Sequence, residues 1–334
     1  MGWVLFLLAG GAAFLVAWLG TGLARHFFLR HAILDHPNPR SSHSRPTPTG
    51  GGVGVLAALL PVWGVGAYFF PSAVAGGWLL FAAALLLAAI SWVDDLRGLS
   101  PAIRLLFQGA AVAFVLITLP EEFRIFQGVL PPLVDRIVAG LLWIWFLNLF
   151  NFMDGIDGMT GIETASLGLG VALVASLANL APDFAYYGIA AAGAALGFLV
   201  WNWPPAKIFL GDVGSVTLGF LLGWLLLSLA AAGHWAAAVI LPLYYLMDST
   251  TTLVRRLLRG ERIWEAHASH FYQLATRRGL SHGSVVRIVL AGNLGLIGLA
   301  LLAASGVAWS SLFVSLLLVG MVLGILRNPF REKS

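Results

Sequence analysis

The stretch from Asn148 to Gly161 holds two carboxamides, Asn148 and Asn151, and two carboxylates, Asp154 and Asp157, between two apolar runs. Aspartates are costly beside hydrocarbon, so a cluster there marks a site for ions or substrate, or else caps the next helix. Gly155, Gly158 and Gly161 allow close backbone approach or φ > 0. A second acidic pair, Asp94-Asp95, ends an earlier apolar run and is followed by Arg97, Ser100-Pro101, Arg104 and Gln108. Adjacent carboxylates repel until a metal, a proton or an arginine relieves them. Two readings are open, a structural pair answered by Arg97 and Arg104, or a functional one. Gly211-Asp212-Val213-Gly214-Ser215 puts a carboxylate at a helix start, as an N-cap or as a hard ligand for Mg²⁺. Asp248 lies about two turns before Arg255-Arg256, as a structural partner or as part of a site.

Two further loops carry cations. His36 to Gly52 alternates prolines with Arg40, His43 and Arg45 and ends in the triplet Gly50-Gly51-Gly52, whose N–H groups suit phosphate oxygens. The same composition is common in basic inner loops that do no chemistry. The loop after Arg255 carries Arg259, Arg262, His267 and His270. On a helix each of these pairs shares a face, suited to a diphosphate or to anionic headgroups. The histidines lack a third partner at zinc spacing.

Positioning these residues falls to membrane helices. The 334-residue chain is 59% hydrophobic and 10% charged, with a mean hydropathy of +0.89, against about 25% charged residues in soluble domains. The runs are long enough for helices rather than barrel strands. The expected fold is therefore all-α, a polytopic helix bundle forming a single domain over residues 1–334. Cysteine is absent, which excludes disulfides and thiolate metal sites. Eleven spans are expected, near 3–19, 51–70, 75–93, 104–119, 133–150, 161–180, 185–202, 213–231, 235–254, 285–304 and 307–326, or ten if the pair at 161–202 is one. Inner loops then fall at about 22–50, 94–104, 151–160, 203–212 and 255–287. All of the 19 lysines and arginines except Arg124 and Arg136 lie in these loops or the C-terminal tail. The positive-inside rule puts the C-terminus in the cytoplasm and the N-terminus outside. Every unusual polar motif then faces the cytoplasm.

Acids, cations and glycine turns on one face suit metal-assisted chemistry on a phosphate ester at a lipid interface, with no nucleic acid involved. The alternative is a multi-span transporter of an anionic solute, which places its acids at broken helices near the midplane.

Five ordered motifs narrow this further. Pro46-Thr47-Pro48-Thr49-Gly50-Gly51, Asp94-Asp95 with Leu99-Ser100 and Gln108, Asn151-x-x-Asp154-Gly-x-Asp157-Gly, Phe209-x-Gly-Asp212-x-Gly-Ser215 and the late histidine loop span roughly residues 36–283. In this the chain resembles the polyprenyl-phosphate N-acetylhexosamine-1-phosphate transferases. That superfamily includes the muramoyl-pentapeptide phosphotransferase and the enzymes that start O-antigen, enterobacterial common antigen and teichoic-acid linkage synthesis. The resemblance implies a multi-pass enzyme of the bacterial inner membrane that moves a sugar-1-phosphate from a UDP-N-acetyl sugar to undecaprenyl phosphate and releases UMP. It implies Mg²⁺, or Mn²⁺, on Asp212 with Asn151 beside it, and it implies a homodimer. Asp157 would face the uracil, and Asp154 would contact substrate. Asp94 and Asp95 would meet the lipid phosphate or act as base; an ionised phosphate nucleophile needs little base, which favours electrostatic positioning. Arg259, Arg262, His267 and His270 would hold diphosphate and sugar, Lys207 would contact substrate, and the anion role of the first loop would fall to Arg45 or to backbone N–H groups. The chain departs from the peptidoglycan branch in its sparser late histidines and so stands nearer the O-antigen-initiating branch. It departs from that branch at Thr49, where arginine is usual.

Overall fold

In a computed structural model, residues 2–37, 42, 45–70, 77–262 and 267–328 are described. Arg40, His43 and the centre of the late loop at 263–266 lie outside them. The described residues form thirteen α-helices and one two-residue antiparallel pair, β1 (Leu34–Asp35) and β2 (Thr47–Pro48). The helices are α1 (Gly2–Arg30), α2 (Gly52–Phe69), α3 (Gly77–Arg97), α4 (Pro101–Ile117), α5 (Pro132–Phe152), α6 (Met159–Leu177) and α7 (Pro182–Asn202). They continue with α8 (Asp212–Leu229), α9 (Trp235–Ile240), α10 (Leu243–Leu258), α11 (Phe271–Arg277), α12 (His282–Ala304) and α13 (Ala308–Arg327).

Nine helices among the described residues are long and apolar enough to cross a bilayer, counting Asp212–Ile240 as one run. The difference from ten or eleven has local causes. The span expected at 104–119 is α4, an apolar helix of 17 residues, at the lower limit of a crossing. The ninth expected span is not one rod. Gly233, at φ +92 inside the π-type segment Ala230–His234, kinks the chain between α8 and α9. Pro242, which has no N–H to donate, then separates α9 from α10.

Sequence signals set several helix starts. Ser100 accepts the Ile103 N–H with Pro101 in the first turn of α4, the expected cap. Pro132 and Pro182 likewise open α5 and α7. Where tails replace water, packing rather than hydrophobic exclusion holds helices together. Trp143 of α5 stacks on Phe220 of α8 at 4.7 Å and donates to the Phe220 carbonyl at 2.8 Å. Trp63, Tyr187 and Trp224 form a second buried cluster joining α2, α7 and α8. Away from the acids, the 120–131 connection is fastened by Asp135, which accepts the Ile125 and Phe126 N–H groups, and by Arg136 on the Leu119 carbonyl.

Candidate active site

Four of the expected inner loops converge around the N-terminus of α8. The first and fourth are zipped together by backbone. Phe209 N–H donates to the Pro48 carbonyl, Gly51 N–H to Phe209 and Gly52 N–H to Leu210, each at 2.8 Å. The glycine triplet is therefore not a free anion cradle. Two of its three N–H groups are taken, and Gly52 lies so close to Gly214 that a side chain there would strike the α8 backbone. Glycine is needed at these positions for contact between loops.

Asp95, at the end of α3, accepts the N–H groups of Asp212 (3.3 Å) and Val213. Gly211 has no side chain, so the cap of α8 comes from a residue 117 positions earlier. Asp94 accepts the Leu99 N–H at 2.6 Å and the Arg104 guanidinium at 3.2 Å. The same Arg104 nitrogen is 4.0 Å from the Asp212 carboxylate, which is one-third exposed. Asn151, at the end of α5, donates to Asp212 and accepts the Ser215 hydroxyl at 2.6 Å. The Asp94-Asp95 pair, Asn151 and Asp212, from three separate stretches of sequence, thus gather at one spot, where Asp94 and Asp212 share the Arg104 guanidinium.

Asp154 accepts the Thr160 hydroxyl at 2.6 Å. Burial pushes its carboxyl up to about 7, against the Thr160 hydrogen bond and with Asp212 and Asp157 adding to the rise. Asp157 accepts the Ala206 N–H at 2.9 Å and pairs with His282 at 3.3 Å, tying three loops. Asn202 makes a parallel brace, accepting from Gly158 and donating to the Ile208 carbonyl.

The cationic residues are arranged differently from the sequence expectation. Arg259 and Arg262 do not share a helical face, because α10 stops at Leu258. Gly260 takes φ +72, its N–H meets Leu257, and the Glu261 N–H returns to the Arg256 carbonyl at 3.0 Å. This glycine-terminated end sends both arginines into exposed chain. His267 and His270 are not on one helix either. His270 precedes α11, is almost fully buried, and places Nδ1 3.2 Å from Asp248. It is an internal anchor. His267 is half-buried beside Ser269, and burial, then His270 and Arg256, push it down to about 4, so it is neutral at pH 7. Lys207 lies over the Trp201 ring, and Arg45 is exposed, its carbonyl accepting the Thr47 hydroxyl.

Asp248 has a definite place. It accepts from His270, Phe271 N–H, Tyr272 N–H, Tyr244 and Thr252, and so caps α11 from α10. Tyr272 in turn donates to the Phe152 carbonyl and packs on Gly155, where a side chain would not fit. The late loop is thereby seated on the Asn151–Asp157 turn. The sequence named Arg104 as a cation that answers the acidic pair, as its contact with Asp94 bears out, but not as a site residue. Asn148, Ser215 and His282 were likewise left out of the expected site, Ser215 because nothing in its motif separates it from a capping serine.

Beside the acids a cleft of about 180 Å³ runs between α3, α4 and α5. Leu87, Ile90, Leu105, Phe152 and Val216 wall it, and Asp94, Arg104, Gln108, Asn148 and Asn151 close its polar end. Asn148 donates to Gln108 at 2.8 Å, holding both amides in place.

The profile of glycosyl transferase family 4 matches residues 77–230, the segment that carries Asp94, Asp95, Asn151, Asp157 and Asp212. A probable undecaprenyl-phosphate N-acetylglucosaminyl 1-phosphate transferase of Bacillus subtilis is 29% identical, over 90% of this chain and 85% of its own. The undecaprenyl-phosphate alpha-N-acetylglucosaminyl 1-phosphate transferase of Escherichia coli K12 is also 29% identical, over 88% and 81%. By these comparisons the chain is similar to the polyprenyl-phosphate N-acetylglucosamine-1-phosphate transferases. A decaprenyl-phosphate N-acetylglucosaminephosphotransferase of Mycolicibacterium smegmatis is a third such relative, 29% identical over 84% of this chain and 78% of its own.

For a metal, the donor set is open rather than caged. Among the described residues no group of three or more histidine or acidic side chains is arranged to hold a metal ion. Mg²⁺ keeps waters and takes one or two carboxylates with substrate phosphates, so a cage is not what it needs. A partly exposed Asp212, with the Asn151 amide beside it and negative charge in excess, fits such a cation.

Proposed function

We propose that the chain transfers N-acetylhexosamine-1-phosphate from a UDP-sugar to undecaprenyl phosphate, releasing UMP, at the cytoplasmic end of the bundle. The observation that carries this reading is the cleft whose apolar walls end at Arg104, Asp94 and Asn151, next to Asp212. Polyprenyl chain suits the walls, and its phosphate suits the guanidinium. The relatives' names supply the acceptor class and favour N-acetylglucosamine as the sugar. The single catalytic domain then runs through the whole bundle, with the N-terminus outside and the C-terminus in the cytoplasm. The product would be the first lipid-linked intermediate of a cell-envelope glycan, on the O-antigen-initiating side of the superfamily.

In this mechanism a lipid phosphate oxygen attacks the sugar-bearing phosphorus of the donor. The bond from that phosphorus to the bridging oxygen breaks, and UMP leaves with that oxygen. The nucleophile is already ionised, so no side chain has to remove a proton. Arg104 orients the attacking phosphate, exchanging part of its contact with Asp94. Asp95 fixes the start of α8 and therefore the direction of Asp212. Asn151 and Ser215 hold the Asp212 side chain from the other side. A divalent cation held by Asp212 and Asn151 would offset charge on the diphosphate. Asp154 and Asp157 shape the turn that faces the nucleoside, and neutral His267 offers a hydrogen bond, not a charge, to the donor.

The test is UMP release from UDP-N-acetylglucosamine, UDP-N-acetylgalactosamine and their 6-deoxy relatives, in membranes given undecaprenyl phosphate and Mg²⁺. Release dependent on both additions is expected. Silence with every donor, together with uptake of an anionic solute into vesicles, would favour the transporter.

A further inference from the structure

Away from the acidic cluster, the seam between α1 and α7 holds a second polar feature at the lipid-facing rim. Trp201, in the last turn of α7, has the Arg25 guanidinium 5.9 Å and the Lys207 ammonium 5.6 Å from its ring centroid. The indole is fixed by α1: Nε1 donates to the Trp18 carbonyl at 2.8 Å, and Gly22 leaves room for the ring. Lys207 is fixed to the same residue through its N–H on the Trp201 carbonyl, also 2.8 Å. Two cations therefore share one aromatic surface. Among the described residues neither has a carboxylate partner, and Arg25 Nε is buried without a hydrogen-bond partner. A pair of cations held this way lacks an anion. Next to them Leu19, Leu23 and Val200 are 57%, 71% and 48% exposed, as tail-facing side chains are. Trp203, 40% exposed, sits beside them at the level where indoles favour the interface.

We propose that Arg25, Lys207 and the Trp201 indole bind the phosphate of an anionic membrane lipid, with its chains along Leu19, Leu23 and Val200. This lipid is not the reacting one, whose phosphate belongs at Arg104, and the inference does not depend on the transferase reading. Charge complementarity selects an anionic over a zwitterionic headgroup, and the apolar strip selects a lipid over a free phosphate. The site also bears on the reaction side of the molecule. The neighbouring Ala206 N–H is the donor held by Asp157, so an occupied site would steady the 203–207 loop.

The full chain is placed in nanodiscs of phosphatidylcholine with graded phosphatidylglycerol, and retained lipid is counted by native mass spectrometry. The wild-type protein is expected to keep phosphatidylglycerol in preference to phosphatidylcholine. Arg25→Gln and Lys207→Gln should each weaken that retention about fivefold and the double variant about thirtyfold, from the usual worth of a basic residue at an anionic surface. Equal retention by the wild-type protein and the double variant overturns the site. Complete displacement of the lipid by millimolar inorganic phosphate overturns the lipid assignment. Should the double variant unfold, Arg25→Lys with Lys207→Arg must keep the lipid while Arg25→Gln alone loses it about fivefold. Failure of that order overturns the proposal as well.

Discussion

Replacing Asp248 by asparagine separates a structural from a chemical role for a buried acid that accepts from five donors. Oδ1 of Asp248 faces Phe271 N–H at 3.0 Å, His270 Nδ1 at 3.2 Å and Thr252 at 3.4 Å. Oδ2 faces the Tyr244 hydroxyl at 3.2 Å and Tyr272 N–H at 3.3 Å. An asparagine that keeps its oxygen toward Phe271 turns an NH₂ toward the second pair. The Tyr244 hydroxyl rotates and accepts, but the Tyr272 N–H cannot. One buried backbone donor is then orphaned, at a cost of about 1–3 kcal/mol. Alanine strips the acceptor from all five donors and should reach the upper range for a broken buried network, about 3–5 kcal/mol. The assay is hydrogen exchange of the 270–276 amides in detergent, beside the thermal unfolding midpoint and UMP release. Asparagine should lower protection of that segment and reduce turnover modestly, with turnover improving on cooling. Wild-type protection together with abolished turnover would refute the capping argument and move Asp248 into the chemistry.

Four further outcomes follow from the site. Asp212→Ala should abolish Mg²⁺-dependent UMP release while the protein stays folded, and retained full turnover would remove Asp212 from the site. Arg104→Gln should raise the KM for undecaprenyl phosphate by roughly 10–100-fold, the worth of a charge-assisted hydrogen bond. A rise confined to the UDP-sugar KM would contradict its placement in the apolar cleft. Gly52→Val should destabilise the fold and lose turnover together, because the side chain meets the α8 backbone at Gly214; a stable, active variant would show the loops are not docked that way. The last concerns pH. Asp154 goes from an ordinary 3.8 to about 7 on folding, mainly through burial. Its contribution to stability is therefore complete below about pH 4 and is lost as pH rises through about 7. In chelator, the unfolding midpoint of the wild-type protein should fall from pH 4 to 8 relative to Asp154→Asn, and parallel curves would show that Asp154 is not held protonated.

Much of this protein was legible in the sequence because a bilayer leaves few choices. Every backbone group must be satisfied within a helix, so the apolar runs had to be helical, and Ser100-Pro101 had to start one. The acids at the run ends were legible for the same reason: hydrocarbon does not tolerate them without a purpose. Tertiary structure decided which of them meet. Nothing local marks Asp95 as the cap of a helix 117 residues away, and nothing local separates it from Asp94, which meets Arg104 instead. The glycine triplet read either as an anion cradle or as part of a basic inner loop without chemistry, and the position of Phe209 and Leu210 made it a contact between loops. In the late loop the cation pairs would share a face only on a helix, and Gly260 at positive φ and the burial of His270 against Asp248 took them off one. Spacing along a chain fixes which residues share one helix face, whereas contacts between turns depend on how whole helices pack, and that information is spread over every span at once.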